Sequence, residues 1–311
     1  MIADRAARIL VIKLGALGDV ILALGPFAAI RKHHPGGRIT LLTTAPYAGL
    51  LAASGYFDEV WIDERPAPWW PGRWLALRRR LRGGAFDRVY DLQTSDRSGW
   101  YFRLMGPGAR PEWSGIVTGC SHPHANPRRD TMHSVERQAE QLAMAGIADV
   151  PAADLSWAAA DIARFGLPDR FAVLVPGGAP HRPAKRWPGH GYAALAARLA
   201  AEGATPVVLG SAAESGVAAS ILSACPGARD LTGRTSLADI AALARVASGA
   251  VGNDTGPMHM IAAAGCPSVV LFSAESDPAL TAPRGPAVRI LRRDGLDRLS
   301  VDEVAGALRL R

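Results

Sequence analysis

Short β-branched runs alternate with amphipathic helical runs along most of the chain. Residues 9–14 form an apolar run of strand length, and residues 20–33 follow with a helical period. Residues 38–44, 59–63 and 86–92 repeat the strand pattern; residues 46–54, 75–82 and 134–146 repeat the helical one. A second series then begins, with predicted strands at 171–175, 205–209, 228–231, 249–252 and 268–272. Its predicted helices are 190–202, 212–224, 237–247 and 258–264, and a last helix covers 301–310. Alternation of this kind implies an α/β protein with parallel sheets covered on both faces. Residues 151–168 hold no sustained period and read as a linker. The expectation is two Rossmann-like doubly wound parallel-sheet domains, 1–160 and 161–311, facing each other across a cleft. The last helix is a candidate to pack back on the first domain. Ligands of such sheets bind beyond the carboxyl ends of the strands, so the chemistry should follow the strands.

Composition narrows this further. The 311 residues, 49% hydrophobic and 20% charged, suit two ordinary folded domains. Cys120, Cys225 and Cys266 have neither disulfide nor metal spacing, which fits a reducing compartment. No secretory signal is read at the N-terminus, and no apolar run has membrane-spanning length, so a cytoplasmic location is expected. Residues 1–150 hold 19 basic against 14 acidic side chains, and the remainder 16 against 14. Such a balance draws anionic partners, or reflects solvated arginines. The aromatic and basic motifs of RNA modules are missing, so no nucleic-acid partner is expected.

Four strings could carry chemistry. Gly15-Ala16-Leu17-Gly18-Asp19 follows the first strand. Its glycines permit a tight turn, and Asp19 is either a carboxylate favoured by a helix dipole or a general base. It lacks the dinucleotide fingerprint spacing, which disfavours a dehydrogenase. Pro176-Gly177-Gly178 leads to Lys185-Arg186-Trp187-Pro188; it suits a diphosphate, or is an exposed basic loop. Lys185 is one of three lysines beside 32 arginines. Gly210-Ser211-Ala212-Ala213-Glu214 places a glutamate near a helix start, to accept sugar or ribose hydroxyls or merely to suit the dipole. Gly252-Asn253-Asp254-Thr255-Gly256-Pro257-Met258-His259 joins a strand to a helix whose first amides form an anion site, with Pro257 expected at the first helical position. Asp254 or Thr255 could instead cap that helix, and His259 could be a packed core histidine. His122 and His124 have no carboxylate or cysteine at metal-ligand spacing, so no metal is expected. Trp69, Trp70 and Trp74 precede Arg78-Arg79-Arg80-Leu81-Arg82, a pattern that suits an anionic lipid interface or a helix packing Trp74, Leu75 and Leu77 on the sheet.

Together these strings, and the run ILVIKLGALGD at 9–19, resemble the ADP-heptose:lipopolysaccharide heptosyltransferases of glycosyltransferase family 9. The resemblance implies a GT-B fold and an inverting, metal-independent transfer of heptose from ADP-heptose to a lipopolysaccharide inner-core acceptor, with no cofactor. It makes Asp19 the catalytic base. Gly177, Gly178, Lys185, Glu214, Asn253, Asp254, Thr255, Gly256, Pro257 and His259 fall in the donor site. Gly15, Gly18 and His133, the last in His133-Ser134-Val135-Glu136-Arg137, fall on the acceptor side. The implied partners are a nucleotide sugar and a glycolipid acceptor at the inner face of the cytoplasmic membrane, where the protein would be peripheral. Another nucleotide sugar or acceptor on the same fold, or a nucleotide-sugar epimerase that needs no acceptor, are the alternative readings.

Overall fold

The computed structural model describes residues 6–108, 110–179 and 181–311. The chain divides into two compact units, Met1–Ala152 and Ala153–Arg311. In the first unit the order is β1 (Arg8–Ile12), α1 (Leu17–Ile21), α2 (Leu24–His33), β2 (Arg38–Thr43), α3 (Ala45–Ala52) and β3 (Glu59–Ile62). It continues with α4 (Pro71–Gly83), β4 (Arg88–Asp91), α5 (Asp96–Met105), β5 (Glu112–Gly115), β6 (His122–Pro123) and α6 (Ser134–Met144). The second unit holds β7 (Phe171–Val175), α7 (Gly189–Ala201), β8 (Thr205–Val208), α8 (Ser215–Ala224), β9 (Arg229–Asp230) and α9 (Leu237–Val246). It ends with β10 (Gly249–Asn253), α10 (Gly256–Ala263), β11 (Ser268–Phe272), α11 (Pro278–Thr281), β12 (Val288–Arg292) and α12 (Val301–Ala307).

Each unit is built on one parallel six-stranded sheet among the described residues, in the orders β3-β2-β1-β4-β5-β6 and β12-β11-β10-β7-β8-β9. Numbered within its own unit, the second sheet has the same order as the first. The first strand of each unit lies between the second and the fourth: β1 pairs with β2 and β4, and β7 with β8 and β10. The winding direction reverses there, which opens a crevice at the carboxyl ends of β1 and β4, and another at those of β7 and β10. Central strands are apolar on both faces, as parallel sheets covered by helices demand; β7 and β11 are buried along their whole length.

The helical run predicted at 20–33 is two helices, because the chain turns at Leu22 and Ala23. Pro26 has no N–H to continue a helix from α1 and is tolerated in the first turn of α2. Helix α5 and strands β5, β6 and β12 were not predicted. At the end of the chain, Val304 of the last helix and Leu308 just after it join a core with Leu195 and Leu199 of α7. No described helix is long and apolar enough to cross a membrane.

Candidate active site

The carboxyl ends of β7 and β10 frame a cavity of about 500 Å³ in the second unit. Gly177, Gly178, Lys185, Glu214, Asp254, Thr255, Gly256 and Pro257 all line it. Three separate strings of the sequence therefore meet in one place. Pro180, inside the first donor string, lies outside the described residues.

The local geometry explains the residue types. Gly177 and Gly210 lie against the Glu214 side chain; a Cβ at Gly210 would come within 2.9 Å of Glu214 Cβ. Glu214 Oε2 accepts from the Ser211 N–H at 2.8 Å and its hydroxyl at 2.7 Å, a capping box that fixes the carboxylate at the cavity wall. Lys185 closes a short 3₁₀ turn, Pro183–Lys185, and its Nζ lies 2.5 Å from Asp254 Oδ2. Both side chains are largely buried, so the pair must be mutually compensated. Asp254 Oδ2 also accepts from the Ser276 hydroxyl at 2.8 Å.

Helix α10 has no side-chain cap. The Asp254 carboxylate is turned to Lys185 and Ser276, while the Thr255 hydroxyl donates to the Asn253 carbonyl at 3.2 Å. The proposed capping role thus falls to neither, and the opening amides of α10 are left for an anion in the cavity. Pro257 is the second residue of α10, not the first.

Two of the proposed donor residues do not line the cavity. Asn253 is fully buried. Its amide donates to the carbonyls of Pro176 and Gly177, at 2.8 and 3.0 Å. Its oxygen accepts from the Trp187 N–H at 2.9 Å and the Tyr192 hydroxyl at 3.0 Å. Every strong hydrogen-bonding position is spent on protein, so Asn253 staples the glycine loop to the sheet. His259 is buried behind Asp254, with Nε2 4.0 Å from Oδ1. Val175, Leu209, Thr235 and Ile240 line the cavity and were missed. The first two sit at strand ends and could have been read there; Thr235 and Ile240 come from a loop and a helix that only the fold brings in.

In the first unit, a polar pocket of about 240 Å³ sits at the carboxyl end of β4. Asp19 lines it beside Lys13, Thr94, Arg129 and Arg137. Asp19 Oδ2 accepts from the Ala16 N–H at 3.2 Å, which sets the carboxylate in the first turn of α1. Lys13 is buried and donates to the Leu92 carbonyl at 2.9 Å. Burial lowers its pKa, and Asp19 and Asp91 oppose that shift. Burial also pushes the Asp91 carboxyl up to about 6, against hydrogen bonds from Thr94, Ser98 and Gln93. Sequence reasoning found Asp19 but missed Arg129 and Gln93, whose side chain accepts from the Leu14 N–H at 2.8 Å.

The acceptor-side candidates are placed differently from Asp19. Gly15 has φ +125° and faces the Tyr47 ring, so a side chain there is excluded twice over. Gly18 lies inside α1, its carbonyl accepting from the Leu22 N–H. His133 is the N-cap of α6: its Nδ1 accepts from the Val135 N–H at 3.2 Å. None of these three lines the pocket.

Comparison with known proteins decides the family. The model of "Glycosyltransferase family 9 (heptosyltransferase)" matches residues 74–300. The chain belongs to glycosyltransferase family 9. A curated relative, lipopolysaccharide heptosyltransferase 2 of Escherichia coli K12, is 28% identical over 92% of this chain and 88% of its own length. The solved E. coli ADP-heptose lps heptosyltransferase II superposes with TM-score 0.80 at 25% identity, covering 96% of this chain and 97% of that one. E. coli heptosyltransferase WaaC with ADP, at 21% identity, shares the fold alone: TM-score 0.76 over 96% of this chain and 98% of that one. The two Rossmann-like sheets are those of a GT-B glycosyltransferase.

Proposed function

We propose that this family 9 glycosyltransferase transfers heptose from ADP-heptose to a glycolipid acceptor of the lipopolysaccharide inner core. The observation that carries the donor half is the convergence of Lys185, Asp254, Glu214 and the uncapped end of α10 on one cavity. A departing nucleoside diphosphate gains negative charge as the glycosidic bond breaks. Lys185 and the first amides of α10 are placed to accept that charge, and preorganised donors of this kind commonly supply the largest catalytic contribution. The apolar walls Val175, Leu209 and Ile240 suit a nucleoside. Glu214, whose Oε1 faces Gly177, is suited to accept from a hydroxyl of the donor.

Asp19 is the proposed base of the first unit. It removes the proton of the acceptor hydroxyl as that oxygen attacks the anomeric carbon, giving inversion; the proton ends on Asp19 and the electron pair of the broken bond on the diphosphate. With Lys185 supplying the balancing charge, the transfer needs no metal. The basic side chains Lys13, Arg129 and Arg137 around Asp19 suit an anionic acceptor. The acceptor is proposed to be met at the inner face of the cytoplasmic membrane, with the protein peripheral to it.

Calorimetric titration with ADP-heptose, ADP, UDP and GDP in the presence of chelator tests the donor reading. Selective binding of the adenine ligands is expected, with Lys185→Ala weakening it at least about tenfold, the scale of one lost charge-assisted contact. Preference for a uridine or guanosine ligand, or unchanged affinity in Lys185→Ala, would overturn it.

A further inference from the structure

The tryptophan- and arginine-rich segment before and within α4 is only partly consumed by packing. Trp74 and Leu77 lean on the core of the first unit, as one sequence reading expected. Leu75 does not: it is 43% exposed. Trp69 is 75% exposed, Trp70 47%, and Trp100, on the neighbouring α5, 53%. Helices α4 and α5 pack side by side. Pro68, Trp74, Arg97, Trp100 and Leu104 line a mostly apolar groove of about 580 Å³ on this face. Single exposed apolar residues are ordinary, but here exposed Trp100 lines an apolar groove whose other rim, Pro68, is followed directly by the exposed Trp69 and Trp70.

The charge on this face is mainly positive, although Arg73 is paired with Glu64 at 3.0 Å. Helix α4 carries no acidic residue, and Arg73, Arg79, Arg80 and Arg82 are all exposed. Helix α5 adds Arg97 and Arg103, against Asp96 at its N-terminus. Guanidinium groups stack on the rings: Arg73 on Trp70 at 4.5 Å, Arg103 on Trp100 at 4.7 Å and Arg97 on Trp74 at 5.6 Å. Each stack joins a flat amphipathic ring to a cation, the pairing favoured at the headgroup level of a bilayer.

We propose that the α4–α5 face, led by Trp69, Trp70 and Trp100, docks on an anionic lipid bilayer. The tryptophans enter the headgroup boundary and the exposed arginines meet lipid phosphates. A protein partner of typical interface would offer the tryptophans a closed pocket and acidic matches to Arg79, Arg80, Arg82 and Arg103; a bilayer satisfies both with no specific complement. This deepens the glycolipid-acceptor reading and rests on it for its purpose, since docking would bring the first unit to the acceptor.

The test is flotation of the full chain with vesicles of phosphatidylcholine alone or with phosphatidylglycerol. The protein should float with the anionic vesicles, less so as salt rises, and its tryptophan emission should shift to the blue. Trp69→Ser with Trp100→Ser, and separately Arg79→Gln with Arg82→Gln, should each lower the partition by roughly tenfold or more while leaving the melting temperature unchanged. No flotation, or variants that float as the parent does, would overturn the proposal. So would a dimer, seen by sedimentation velocity, that the tryptophan variants dissolve in the absence of lipid binding. ADP-heptose titration of the same samples separates the two readings: donor binding without flotation removes only the docking face, whereas no donor binding removes the transferase reading itself.

Discussion

Asp19 and Lys185 are proposed to do opposite work on one reaction, and their surroundings differ accordingly. Asp19 is partly exposed in a polar pocket and holds one backbone N–H, so a carboxylate oxygen stays open to a hydroxyl. Lys185 is largely buried, with its ammonium held against Asp254 at the wall of the cavity. Asp19→Asn keeps the shape and removes the basic oxygen. Turnover should fall about 10²–10⁴-fold with donor affinity unchanged; retained turnover in a steady-state assay would remove Asp19 as the base. A different residue contributes to acid sensitivity. His34 shares a hydrogen bond with the Tyr90 hydroxyl, Nε2 to oxygen 2.9 Å. Burial, then His33, Arg88 and Arg31, push its pKa down to about 4. The unfolded chain therefore binds a proton near pH 6.5 that the folded chain refuses until about 4. The stability this group contributes is present above pH 6.5 and is lost as pH falls towards 4, on the order of 1–2 kcal/mol once solvent screening of a half-buried ring is allowed for. Urea titrations of His34→Gln between pH 7 and 4 should show a shallower loss than the parent; identical slopes would contradict the assignment.

At the level of elements, the site is made by strand ends and the turns that follow them. Asn253 shows how. It ends β10, yet it holds the turn after β7 and the start of α7 through Trp187 and Tyr192. Asn253→Ala would leave three buried backbone partners unmatched at once, while the Tyr192 hydroxyl keeps the Val175 carbonyl at 3.2 Å. A loss of about 3 kcal/mol or more is expected by chemical denaturation, together with weaker donor binding; a variant as stable as the parent would show that the staple is unimportant. This residue also marks what sequence could convey. The string around it singled out the right turn, because a glycine-flanked strand-to-helix junction is a local feature. That the side chain faces inward to the neighbouring loop depends on β7 and β10 being adjacent, which no local pattern states. Strand β12 was missed because Arg289 and Arg292 interrupt its short apolar run at the sheet edge. Helix α5 was missed although its buried Ser98, Tyr101, Phe102 and Met105 keep helical spacing; Gly99 and two serines near its start concealed it. The run 20–33 was read as one helix, whereas the chain turns at Leu22 and Ala23 and Pro26 sits in the first turn of a second helix.

On the scale of the molecule, each unit repeats one winding, and the repetition explains where chemistry can sit. Both sheets reverse direction beside their first strand, and Asp19 and the Lys185–Asp254 pair lie at those two reversals. The fold was therefore legible from alternation alone, and the donor strings from their place after strands. The basic pocket around Asp19 was less so, since Arg129 comes from the poorly patterned stretch before α6. The central claim is that the two units together move heptose from ADP-heptose to a lipid-borne acceptor. The most direct measurement is incubation of the purified protein with ADP-heptose and an inner-core glycolipid lacking heptose, in chelator, followed by mass spectrometry of the lipid. The account predicts addition of one heptose residue with release of one ADP. An unmodified lipid under conditions where another nucleotide sugar is transferred, or interconversion of the donor without any acceptor product, would contradict it.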